Sequence, residues 1–172
     1  GYAAEVSKGL VNLGPSASIL ISKAGILDAA LAFSDSEGKY GVSGFLGYTF
    51  QTKNIGARIF LRSNSEEYSN LTMKPPDDKA EIQFSGAVGI GGKKSGFITA
   101  DYSFSDMYRT VRISKTTISY NKALTKLATF FAIASETKAA ETNDEIFLGL
   151  HIYLGKDVSG SVSYTHSNNS EI

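Results

Sequence analysis

The amino-acid sequence predicts an all-β chain: an antiparallel up-and-down meander of about ten or eleven strands, part of a transmembrane β-barrel. Three observations carry this. Apolar residues recur at every second position through most of the 172 residues, the period of a strand and not of a helix. The alternating stretches run to roughly 10–12 residues, the length of a tilted membrane strand, where globular strands average about 5–6. The connections alternate in character, first short and lysine-bearing, then longer or acidic.

Taken in order, strands are expected near 2–8, 11–22, 26–35, 40–50, 55–65, 80–91, 96–105, 110–121, 127–136, 145–154 and 158–166. In the third, Leu27, Ala29, Leu31 and Phe33 share one face. The fifth sets Ile55, Ala57, Ile59 and Leu61 against Gly56, Arg58, Phe60 and Arg62. The sixth sets Ala80, Ile82, Phe84, Gly86, Val88 and Ile90 against Glu81, Gln83, Ser85, Ala87 and Gly89. The seventh alternates through Ile98, Ala100, Tyr102 and Phe104, and the tenth through Ile146, Leu148, Leu150, Ile152 and Leu154. In the eighth the phase slips between Val111 with Ile113 and Ile118 with Tyr120, which a β-bulge would explain.

Short turns at 23–25, 51–54, 91–95, 121–126 and 155–157 all carry lysine. Connections at 35–39, 64–79, 105–109 and 136–144 are longer or more acidic. Lys23, Lys53, Lys94, Lys126 and Lys156 stand 30, 41, 32 and 30 residues apart, and the one long interval holds the one long loop, with Pro75 and Pro76. Short turns at one end and long loops at the other are expected of an outer-membrane barrel, with the short turns periplasmic. On that topology the 64–79 loop faces the exterior, so a thiol placed at Ser69 is accessible from outside and one at Asn54 is not. An ordinary soluble meander also has polar turns, and stays open at this point.

A membrane barrel turns its apolar face to lipid and its other face to an aqueous lumen. Asp28, Arg58, Arg62, Glu81, Gln83, Thr99 and Asp101 are then expected to line the lumen, where mid-strand charges meet water. In a soluble sandwich the same residues would be the solvated face. Rings at Tyr40, Tyr48, Phe50, Phe97, Phe104, Tyr108, Tyr120, Tyr153 and Tyr164 fall at or near the expected strand ends, as interfacial girdles do.

Composition narrows the function. Seventeen basic and seventeen acidic side chains leave no formal net charge, which argues against a nucleic-acid partner. Cysteine is absent, which removes disulfides and thiol nucleophiles, and His151 and His166 alone are too few for the usual histidine metal sites. No apolar run approaches the ~18 residues of a membrane helix. Gly86 to Ser95 has the wrong glycine spacing and the wrong context for a phosphate-binding loop, since Ala87 and Lys94 occupy key positions between two strands. There is no Gly-x-Ser-x-Gly elbow and no carboxylate pair that the sequence places together. His151 reads as a lumen or surface residue, and the glycosylation-like triplets at Asn70 and Asn168 are of a kind that arises by chance. No catalytic constellation and no cofactor site is found.

The segment Phe147-Leu148-Gly149-Leu150-His151-Ile152-Tyr153-Leu154-Gly155, followed by Ser159-Gly160-Ser161-Val162-Ser163-Tyr164, resembles the barrel of the outer-membrane ushers of chaperone–usher pili. Thr117-Ile118-Ser119-Tyr120-Asn121-Lys122 is similar to the preceding usher strand. Gly47-Tyr48-Thr49-Phe50, then Asn54-Ile55-Gly56 and Tyr68-Ser69-Asn70-Leu71, also resembles the usher pattern, so the likeness runs from about residue 9 to 168. Tyr153 stands where ushers usually have proline. The resemblance implies a non-enzymatic pore in the outer membrane of a Gram-negative bacterium. Its partners would be membrane lipid, chaperone–pilin subunit complexes and the translocating pilus. Ushers are larger barrels with plug and periplasmic domains, none of which is seen here, so residues 1–172 are expected to be a barrel fragment. A start on Gly1 with no signal peptide and an end on Ser170-Glu171-Ile172, without a terminal aromatic, fit that expectation. The alternatives are a small complete outer-membrane barrel or porin, and a secreted soluble β-sandwich that binds a partner.

Overall fold

The computed structural model describes residues 1–7, 9–73, 78–153 and 158–171. Among these are eleven strands: β1 (Tyr2–Ser7), β2 (Leu10–Leu20), β3 (Ile26–Ser36), β4 (Lys39–Gln51), β5 (Ile55–Asn64), β6 (Ala80–Gly92), β7 (Gly96–Met107), β8 (Ile113–Ala123), β9 (Ala128–Lys138), β10 (Glu141–Tyr153) and β11 (Ser159–Glu171). One 3-10 turn, Ser22–Ala24, is the only helical element among the described residues. All eleven strands belong to one antiparallel sheet whose spatial order is the sequence order. The expected meander is therefore observed. Every strand after β1 is 10 to 13 residues long.

Three local expectations are corrected. First, the bulge expected in β8 is not found on its β9 side, where the register runs unbroken from Ser114↔Lys138 to Ala123↔Thr129. Val111 lies in the connection before β8, while Ile113, the strand's first residue, points to the face opposite Ile118 and Tyr120, so the phase changes at the strand's start. Second, the 136–144 loop is absent. β9 and β10 pair as far as Thr142↔Lys138, and only Ala139 and Ala140 lie between the strands. The polar residues Thr137, Lys138, Thr142 and Asn143 read as a loop, but polarity at a strand end does not prevent pairing. Third, the 35–39 connection is a two-residue turn. Glu37 and Gly38 both have positive φ, 53° and 81°, the geometry of a type I′ hairpin turn, and the Gly38 amide donates to Asp35 Oδ1 at 3.1 Å. Only the β5–β6 connection is long. Tyr164 sits mid-strand, opposite Leu148, because β11 extends further than expected. Lys156, Leu154 and the Pro75-Pro76-Asp77 stretch lie outside the described residues.

The chain divides into two compact units, one of Gly1–Phe50, Arg58–Gly86 and Ser103–Ile113, the other of Gln51–Ala57, Ala87–Tyr102 and Ser114–Ile172. In the first, cross-strand partners place Leu27, Ala29, Leu31 and Phe33 on the same face as Tyr48, Leu46, Gly44 and Val42. Leu31 and Leu46 are each 51% exposed and Ile59 is 50% exposed. A shallow apolar groove of about 500 Å³ runs over this face, lined by Pro15, Ala17, Ala29, Leu31, Leu46 and Leu61. In the second unit, Ile118, Ala134 and Ile146 lie in one row, and Tyr120, Ala132, Leu148 and Tyr164 in the next. Ile118 is 50% exposed. The only buried residues described in the second unit are Gly89 and Gly149. Among the described residues, the apolar faces of both units thus stay half exposed.

Candidate functional site: the polar face

The polar face of the first unit is laid out in cross-strand rows. Glu5, Asn12, Ser34 and Gly41 stand opposite one another across β1 to β4. Asp28, six residues before Ser34, shares their face and accepts a hydrogen bond from Ser18 Oγ. The Arg58 guanidinium lies 5.9 Å from the centre of the Phe60 ring. Arg62 and Gln83 line one recess of about 340 Å³ together with Phe45, Phe60, Ser85 and Ser103. Phe45 and Phe60 approach to 6.3 Å between ring centres. Glu81 acts at a distance. Burial, followed by the charges of Glu81 and Glu66, raises the Tyr108 phenol above its ordinary value.

In the second unit Thr99 Oγ1 and Ser119 Oγ share a hydrogen bond of 2.5 Å, and Asp101 is half-buried. Lys115, Thr117, Ser135 and Glu145 line a recess of about 240 Å³ with Ile133 and Phe147. Phe131 and Phe147 stack at 5.5 Å on this face. The ring of Phe131 lies over Gly149, its direct partner on β10, in the space a Cβ would take. Such glycine–aromatic pairing is a known device for stabilising a strand glycine. It gives Gly149 in the Phe147–Leu148–Gly149 segment a physical role: any larger residue would lift the ring off the sheet.

The structure thus brings Arg62 and Gln83 into one recess and sets Asp28 and Thr99 each against a hydroxyl. The polar face also carries phenylalanines that alternation alone assigned to it only as exceptions.

A further part of the site was not foreseen. The segment 65–73, at the start of the β5–β6 connection, folds back over the polar face. Ser65 N donates to Val42 O at 2.8 Å, and Val42 N to Ser65 Oγ at 2.8 Å. Ser69 N donates to Ser34 Oγ at 3.0 Å. Asn12 Nδ2 donates to the Tyr68 hydroxyl at 3.1 Å, and Leu71 N reaches Glu5 Oε2 at 3.4 Å. Lys79 Nζ donates to Tyr68 O at 2.6 Å. Ser69 is 1% exposed and Lys79 2%. Gly41 makes room, since a Cβ there would coincide with the Tyr68 backbone. The loop end is closed by a second clamp. Tyr108 N donates to Lys79 O at 3.1 Å, the Tyr108 hydroxyl to Asn64 O at 2.7 Å, and Arg109 N and Thr110 Oγ1 to the Asp78 carboxylate.

This corrects the expectation that Ser69 is reachable from outside: the side chain is enclosed by its own loop and β3. The signal available in the sequence was the run of small polar residues Asn12, Ser34, Gly41 and Ser43, whose common row appears only once the register is known.

No helix among the described residues is long and apolar enough to cross a membrane, which says nothing of a crossing by strands. Among the described residues no group of three or more His, Asp or Glu side chains is arranged to hold a metal ion. No family model, curated protein or solved structure matches the chain.

Proposed function

We propose that the chain is a wall segment of an outer-membrane β-barrel, and that the barrel is an usher-type pore through which pilus subunits are secreted and assembled. The single observation that supports the membrane reading is the apolar face. Leu31, Leu46, Ile59 and Ile118 are half exposed on long strands, and nothing within either unit covers them. Lipid is the solvent that removes the cost of such a face, at about 25 cal/mol per Å² of apolar surface. The polar face, with Asp28, Arg58, Arg62, Glu81, Gln83, Thr99 and Asp101, is then the lumen wall. The usher assignment rests on the resemblance of residues 147–155 and 159–164 to usher barrel strands. The mechanism is passage by shape, with no covalent chemistry at a point.

The test is deletion of the gene in its own host. Surface pili should disappear while chaperone–subunit complexes accumulate in the periplasm, and the full-length protein should fractionate with the outer membrane and migrate faster on gels before heating. Normal piliation would sink the usher reading and leave a porin-like barrel. A protein that is soluble without detergent would sink both and favour the secreted sandwich.

A further inference from the structure

The polar face at the β5–β6 end is covered by the chain itself, and the cover is held from three sides. Strands β2 to β4 hold it through Asn12, Ser34 and Val42, β1 through Glu5, and the returning chain through Lys79. Gly41 is the seat, because only a residue without a side chain admits the Tyr68 backbone at that distance. At Gly41 the strap lies directly against the sheet and adds a second layer of chain, a step on the wall of any passage. Resting on the pore reading above, we propose that residues 65–73 are an internal strap that sets the width of the passage at this end of the strands. Beside the buried Tyr68, the strap's buried contacts are mostly polar, supplied by Ser34, Ser69, Asn12 and Lys79. Polar contacts of this kind hold one defined position, because each donor must find its acceptor, and their release exposes little apolar surface beyond the Tyr68 ring.

The test uses the full-length protein, in outer-membrane vesicles for chemistry and in planar bilayers for conductance. Gly41→Val puts a side chain where the Tyr68 backbone lies and frees the strap without altering its sequence. A thiol introduced by Ser69→Cys reports on the strap. It should react slowly by itself and more than about tenfold faster when combined with Gly41→Val, since protection by burial is lost with local opening. Conductance should rise in Gly41→Val. The pair Ser34→Cys with Ser69→Cys, oxidised to tie strap to wall, should conduct as the unaltered protein does.

Fast labelling of Ser69→Cys in folded protein without Gly41→Val would overturn the anchored strap. A Gly41→Val protein with fast labelling and unchanged conductance would overturn the width-setting role. Should Gly41→Val fail to fold, Asn12→Ala removes the partner of the Tyr68 hydroxyl and should give the same two changes at smaller amplitude; unchanged labelling there also overturns the strap. Silence of every folded variant in the bilayer, with the thiol pattern as expected, would overturn the pore reading and the width-setting role together, and leave the anchored strap standing.

Discussion

The corner around Tyr68 and Ser69 and the stretch from β8 to β11 are built from the same kind of strand, yet their polar faces end up in opposite states. At the corner Asn12, Ser34, Ser43, Asn64, Ser69 and Lys79 are buried together with Leu10, Tyr68 and Ala80, so polar side chains make up most of the buried set. Along β8 to β11 no described residue except Gly149 is buried, and the polar face stays open, with Phe131 and Phe147 lying flat on it. The difference traces to the connections. The β5–β6 connection has enough residues to fold back, whereas β9 and β10 are joined through Ala139 and Ala140 alone. The apolar faces do not differ: both regions leave leucines and isoleucines half exposed. Among the described residues the chain covers its polar face where it has spare length, while its apolar face stays half exposed in both regions, as the membrane reading proposed above requires.

The largest effect should come from breaking what the two regions share. Leu148→Arg puts a charge on the apolar face near the middle of β10 and should cost roughly 2–4 kcal/mol of membrane insertion. Thr165→Arg, on the polar face opposite Phe147, should cost far less. The pair is read by the fraction of full-length protein that shows heat-modified mobility in outer membranes. Equal damage would remove the distinction between the faces, and greater damage from Thr165→Arg would mean that they are assigned the wrong way round.

Next comes the feature peculiar to β8 to β11. Gly149→Val collides with the Phe131 ring and should destabilise by about 1–3 kcal/mol, the usual range for overpacking. Adding Phe131→Ala to it should recover much of the loss, since the ring that blocks the new side chain is then gone. A urea midpoint of folding into vesicles that ignores the second change would show that the stack is incidental.

The corresponding test at the corner is Asn64→Ala. Asn64 is 4% exposed, accepts from Ser43 Oγ at 2.7 Å and donates to Ala80 O at 2.8 Å. Removing it leaves two buried polar groups without those partners, at a cost of about 1–3 kcal/mol. Thr99→Ala removes a comparable hydroxyl pair where water can replace it, so its effect should stay below about 1 kcal/mol. Similar midpoints for the two would erase the contrast between a covered and an open polar face.

Strand number, order and most boundaries were legible because period two survives wherever a face alternates, as in Glu81 to Ile90 and Ile146 to Ile152. The errors cluster at strand ends, where alternation stops carrying information. Val111 looked like part of β8, and Thr142 and Asn143 looked like loop. The residues of the polar face could be assigned one strand at a time, and Asp28, Arg62 and Gln83 do lie on the face that alternation gives them. Their neighbours could not be assigned, because register joins residues such as Asn12 and Ser34 that are far apart in sequence. The strap was illegible for a related reason. Ser65, Tyr68 and Ser69 read as a polar loop, and polar loops usually face water. What turns this one inward is Gly41, whose missing side chain matters only once Tyr68 lies against it.

The smallest expected effect is a pH response confined to the corner. The Tyr108 phenol donates to Asn64 O at 2.7 Å and so must be protonated to close the clamp. Burial, then the charges of Glu81 and Glu66, hold its pKa above the ordinary value near 10. A folded-state pKa above the unfolded one means that the folded chain holds the proton more tightly. The contribution is therefore complete below about pH 10 and is lost as pH rises through the raised value. Labelling of a Ser69→Cys thiol, corrected for the ionisation of a free thiol, should stay slow up to about pH 10 and accelerate above it. Tyr108→Phe should abolish the step and raise labelling at neutral pH, consistent with loss of a hydrogen bond worth about 0.5–1.5 kcal/mol. Glu66→Gln should move the step to lower pH by removing one of the charges that opposes tyrosinate. A thiol at Ser163→Cys, on the open polar face of β11, should show no step in any of these backgrounds. If Tyr108→Phe leaves the profile at Ser69→Cys unchanged, the alkaline opening belongs to other groups and the clamp on the β5–β6 return does not run through this phenol.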